Sequence, residues 1–199
     1  MSPLERLQAA GADAYDFVDR LPRGPARVAA WDAYAFQTYG DKLIAACETT
    51  DELSGDTVEI VTELFSLVEA SLLRASEFGA APSGGSATAP CVSFPRWHTP
   101  IRSVDQLHGM RAALDALHAY VTLDVRSLRA DEATLTPFRQ ALAEIDKHLA
   151  TVDILWIRNP PDEIRGGIGD ALTDGLDTTH SLGQAVAQVV STGPSDYPS

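Results

Sequence analysis

LTPFRQALAEIDKHLATVDILW, residues 135–156, is the stretch that decides the fold. Its apolar residues Leu135, Phe138, Leu142, Ile145, Leu149, Val152 and Trp156 recur at alternating steps of three and four. That spacing lines all seven along one stripe of an α-helix, which must be buried against something. Thr136-Pro137 predicts the start of this helix and Asn159-Pro160-Pro161 its end, because proline suits a first turn and interrupts an interior.

Other segments obey the same rule. Ser2-Pro3-Leu4-Glu5 reads as a capping box opening a helix on Leu4, Leu7, Gly11, Ala14, Tyr15 and Val18. Gly24-Pro25 opens a second, to about Cys47, apolar on more than one face through Val28, Trp31, Tyr34, Phe36, Tyr39 and Leu43. Asp56-Thr57-Val58-Glu59 starts a third, which ends near Gly79. Ser103-Val104-Asp105-Gln106 opens a fourth, carried by Leu107, Met110, Leu114, Leu117, Val121 and Val125.

Residues 79–102 break the pattern. Ala80 to Pro90 is made of Gly, Ser, Ala, Thr and Pro, and Cys91-Val92-Ser93-Phe94-Pro95-Arg96-Trp97-His98-Thr99-Pro100 is too proline-rich for a helix yet too apolar to float free. This segment is expected to pack across the bundle. The fold expected is all-α: an antiparallel bundle of four to five helices over 1–159, with one long crossover loop at 79–102. Beyond it, six glycines between Arg165 and Gly193 dilute a weak apolar period. Residues 160–199 are therefore expected to form an acidic, Gly-rich tail, weakly helical or partly disordered.

Composition narrows the function. At 199 residues, 45% hydrophobic and 22% charged, the chain can build its own core without a metal or disulfide staple. Its net charge of −13 repels phosphate backbones and anionic lipid, so neither nucleic acid nor a membrane surface is an expected partner. Two cysteines, Cys47 and Cys91, are too few for a disulfide framework, and no apolar run approaches the roughly 20 residues that span a bilayer. The start lacks the basic and apolar regions of a signal peptide, and the expected location is cytoplasmic.

Three sets of residues could carry chemistry. The pairs Asp105–His108, Asp115–His118 and Glu144–His148 each share a helix surface, but none has the Glu-x-x-His spacing of di-iron bundles. At about 100° per residue, none of their histidines points into the predicted core. No metal or other cofactor is therefore expected; if one bound, His118 and His148 at the stripe borders would be its ligands. In the crossover, Cys91 and His98 could in principle pair as nucleophile and base, with no third group identifiable. Phe94 and Trp97 read first as anchors for the loop, and with Arg96 and His98 as a recognition surface, because Trp and Arg dominate interfaces and proline pre-orders an extended segment. The aromatic helix around Trp31 and Tyr34 reads as core, or as the lining of a ligand pocket.

Phosphate loops, serine-hydrolase elbows, zinc-peptidase motifs and Cys-x-x-Cys pairs are all absent. The sequence leans away from an enzyme. It reads as a non-enzymatic helical bundle acting through contacts with itself or another protein, on a ligand or partner surface of Phe94, Arg96, Trp97, His98, Trp31 and Tyr34. The alternative is a bundle that binds a small ligand or metal, and that could also turn it over.

Overall fold

In a computed structural model, described over residues 18–47, 54–80, 92–101, 103–157 and 161–189, the chain is an all-α bundle. Five long helices follow a helical stretch at 18–20: α1 (Pro25–Ala46), α2 (Gly55–Ala80), α3 (Val104–Ser127), α4 (Glu132–Ile157) and α5 (Asp162–Gln188). Most of the expected N-terminal helix lies outside the described residues; its end, Val18, is buried against Ala29, Ala30 and Ala75. No described helix is long and apolar enough to cross a membrane.

Helix directions follow from which residues meet. Asp32 near the start of α1 meets Arg74 near the end of α2 and His180 near the end of α5, while Arg23 and Arg27 meet Asp124 at the end of α3. Helix α1 therefore runs antiparallel to α2, α3 and α5, and forms the centre of the bundle with α3 and α5. Gln106 of α3 hydrogen-bonds Thr57 Oγ1 of α2 at 2.8 Å, start against start, so α2 and α3 are parallel. That is why the connection between them is long: the chain must return the length of a helix before α3 begins.

Local chemistry explains most helix ends. Pro25 at the first turn of α1 follows Gly24, whose φ of 141° is open only to glycine and whose N–H donates to Ala187 O at 2.8 Å. Ser54 caps α2, its Oγ accepting from Thr57 N at 3.3 Å. Ser103 sits at the N-cap of α3 without a side-chain cap bond, and Gln106 reaches across to Thr57 and Ser54 instead. Helix α4 departs from expectation. It begins at Glu132, capped by Asp131 Oδ1 accepting from Thr134 N at 2.8 Å, and Pro137 lies inside it.

The largest correction concerns residues 160–199. Far from a weak tail, 162–188 form the longest helix among the described residues, a 27-residue element in the centre of the bundle. Three of its glycines, Gly169, Gly175 and Gly183, are contact points. A Cβ on Gly183 would lie 2.1 Å from Trp31 Cε2, one on Gly175 2.8 Å from Leu114 Cδ2, and one on Gly169 3.0 Å from Ile101 Cβ. Glycine's propensity cost of about 1 kcal/mol each is set against close packing of a helix buried along most of its length. Residues 190–199 lie outside the described residues.

Candidate functional site

Two apolar stripes at the centre carry polar residues. Positions 28, 32, 36, 39 and 43 of α1 and positions 172, 176, 180, 183 and 187 of α5 are all buried, each at steps of 4, 4, 3 and 4. Asp32 and His180 interrupt them, fully enclosed. Asp32 Oδ1 stands 2.8 Å from His180 Nε2 and accepts from Gln184 Nε2 at 2.7 Å, while Asp32 Oδ2 faces Arg74 at 3.4 Å. The Trp31 indole N–H donates to His180 O at 2.9 Å, and the imidazole lies among the rings of Phe36, Phe94 and Trp31. Sequence reasoning missed both residues. The signal for them was present: an acid and a histidine at core phase on otherwise apolar stripes.

An Asp–His pair can move protons when substrate reaches it. Here Asp32 is 0% and His180 2% exposed, so no reactant touches either. The pair instead ties α1 to α5 and, through Gln184 Nε2 donating to Val92 O at 3.1 Å, to the crossover. A second polar cluster does the same at the other face: Asp124 accepts from Arg23 at 2.7 Å and Arg27 at 3.2 Å, while Arg27 also donates to Val18 O and Leu21 O.

The crossover packs across the bundle through its apolar residues. Phe94 is buried edge-on to Phe36 and Tyr39, and Trp97, half-buried, donates from Nε1 to Tyr39 Oη at 2.9 Å. Burial holds the Tyr39 phenol well above its ordinary value, so it stays neutral. Arg96 is exposed and pairs with Asp177 at 2.7 Å; His98 is exposed. Trp31 is enclosed, and Tyr34 is half-buried against Trp31 and Tyr120. The six residues expected to share a surface are thus divided: Phe94 and Trp31 are in the core, Trp97 and Tyr34 are partly covered, and only Arg96 and His98 face outward. Cys91 lies outside the described residues. Burial, and then the charge of Asp105, push the Cys47 thiol up, away from the thiolate a nucleophile needs.

An accessible groove lies elsewhere, between α3 and α4. Helix α4 rests mainly on α5 and touches α3 at few points. Of the seven stripe residues that predicted it, only Ile145 and Val152 are fully buried. The space left is a groove of about 660 Å³, a volume in the range of small-molecule sites. Val125, Leu128, Leu135 and Leu142 supply its apolar wall, and His118, Thr122, Arg126, Arg139 and Asp146 its polar groups. Thr122 and Ala143 are small, which leaves the room. Thr122 Oγ1 is enclosed without a hydrogen-bond partner among the described residues. His118 Nε2 lies 3.3 Å from Asp146 Oδ1, an ion-pair contact whose geometry is not that of a hydrogen bond. His148 is half-buried on α4 and does not line the groove, so the two expected metal ligands do not face one another there. Among the described residues, no three His, Cys, Asp or Glu side chains converge to hold a metal ion.

No known protein family, curated protein or solved structure matches the chain.

Proposed function

We propose that this protein is a small-molecule-binding helical bundle, a holder of ligand rather than a catalyst, with the α3–α4 groove as its site. One observation carries the reading: a groove of about 660 Å³ with a leucine-rich wall that also encloses the Thr122 hydroxyl, which has no hydrogen-bond partner among the described residues. An enclosed polar atom without a partner costs about 1–3 kcal/mol, which a bound polar group would relieve. Binding is favoured over turnover because His118 faces Asp146 and makes no hydrogen bond to Thr122, so the groove holds no activated nucleophile. A cytoplasmic setting belongs to the same proposal and rests on the paucity of cysteine.

The test is titration with Nile red, a neutral apolar dye, followed by fluorescence. One dye per chain should bind, and Ala143→Trp, which fills the groove from its rim, should abolish binding while the circular dichroism stays helical. Dye binding unchanged by Ala143→Trp would refute the site.

Contact with itself or another protein is the second reading, supported by the exposure of Leu73, Leu123 and Ile154. Native mass spectrometry of Leu123→Lys and Ile154→Lys variants separates the two: a shift from oligomer to monomer with dye binding intact would assign those residues to an interface.

A further inference from the structure

We infer that the ligand of this groove is an amphiphile with an oxyanion head, held between Arg126 and Arg139, and an apolar body laid along Val125, Leu128, Leu135 and Leu142. The inference rests on the reading of the groove as a ligand site and adds the chemical class.

The register of the two helices carries it. His108 stacks on Trp156 with ring centroids 4.6 Å apart, Arg111 pairs with Asp153, and His118 faces Asp146. In each pair α3 advances as α4 retreats by the same count, so the helices are antiparallel with one constant register. Carried two turns beyond His118, that register sets Arg126 level with Phe138 and Arg139 level with Val125. The two arginines therefore stand on facing walls at the same height, and both line the groove. Elsewhere on this interface Arg111 pairs with Asp153 and His118 faces Asp146; among the described residues that line the groove, the level of Arg126 and Arg139 carries a cation on each wall. Like charges so placed repel unless an anion lies between them, and a guanidinium pair matches the geometry of a carboxylate or phosphate.

The surrounding charges agree. In a chain of net charge −13, residues 125–143 hold three arginines (Arg126, Arg129, Arg139) against two acids, Asp131 and Glu132. Asp131 is engaged in capping α4, and Glu132 pairs with Arg139 from outside the groove lining. The remaining acid of the site, Asp146, stands about two helical turns from Arg139, roughly 10 Å along the axis, facing His118. Position in the last turn of α3 favours a cation at Arg126, but it does not call for Arg139 opposite. One turn back, Thr122 offers its hydroxyl as a further donor to the head group.

Isothermal titration with octanoate, octyl phosphate and neutral octanamide tests this. Octanoate or octyl phosphate should bind one to one, about tenfold or more tighter than octanamide, and the tighter of the two identifies the head group. The double variant Arg126→Gln, Arg139→Gln should bring the acids down to the amide's affinity while the amide is unaffected, and rising salt should weaken the acids alone. Equal affinity for all three would overturn the oxyanion inference and leave the groove as an apolar ligand site. Failure of all three to bind, or binding untouched by Ala143→Trp, would overturn the ligand site itself.

Discussion

Replacing Gly183 by alanine would put a methyl group 2.1 Å from Trp31 Cε2, 2.3 Å from Cζ2 and 2.4 Å from Nε1. The indole cannot yield cheaply, for it is 1% exposed and held by its bond to His180 O. Overfilling of this kind costs about 1–3 kcal/mol. If the indole shifts, the loss of its hydrogen bond adds about 1 kcal/mol, and the gain in helix propensity returns about 1 kcal/mol. The net expectation is a loss of about 1–3 kcal/mol. Gly167 supplies the control within the same helix: nothing lies within 4 Å of its would-be Cβ, so Gly167→Ala should stabilise by about 1 kcal/mol. The two substitutions are chemically identical and opposite in sign. Urea denaturation followed at 222 nm gives both numbers, and calorimetry should show Tm moving by about 2–4 °C per kcal/mol. A Gly183→Ala protein as stable as Gly167→Ala would refute the claim that Gly183 is there for close packing.

Two further outcomes are expected. Asp32→Ala leaves His180 and Arg74 without their shared carboxylate inside the bundle, and should cost about 3–5 kcal/mol by urea denaturation; a loss below about 1 kcal/mol would show that the network does not hold α1 to α5. Asp41 tests pH dependence, since burial raises its carboxyl despite the Gln37 hydrogen bond and nearby Lys42. A raised folded-state value means a contribution to stability that is complete below the unfolded value near 3.9 and lost as pH rises through the folded one. The Tm advantage of Asp41→Asn over the parent should therefore grow from about pH 4 to pH 7, and an advantage that shrinks over that range would contradict the burial argument.

Much of the architecture was legible because helices announce themselves locally. Pro25 and Ser103 marked the starts of α1 and α3, and the apolar content of Phe94 and Trp97 implied a crossover that packs. The start of α4 was misplaced because Asp131 and Thr136 both offer an N-terminal signature, and a proline inside a helix argues locally for the later one. Helix α5 was undervalued because glycine's local cost is visible in sequence, while the neighbour that needs its missing side chain is not. Asp32 and His180 were overlooked for a related reason: the pattern places them in the core, but each becomes explicable only once its partner, 148 residues away in sequence, is known.

The sequence by itself determined that this chain is helical, where most helices lie and that one long crossover divides them, because caps, prolines and 3.6-residue periodicity act within a few residues. Only the tertiary structure decided the rest. It set α3 parallel to α5 and α4 against both, brought Asp32 to His180, and put Arg126 of α3 and Arg139 of α4 in the lining of one groove. Those pairings depend on the register between helices, which is settled by the fit of whole faces rather than by any local run of residues.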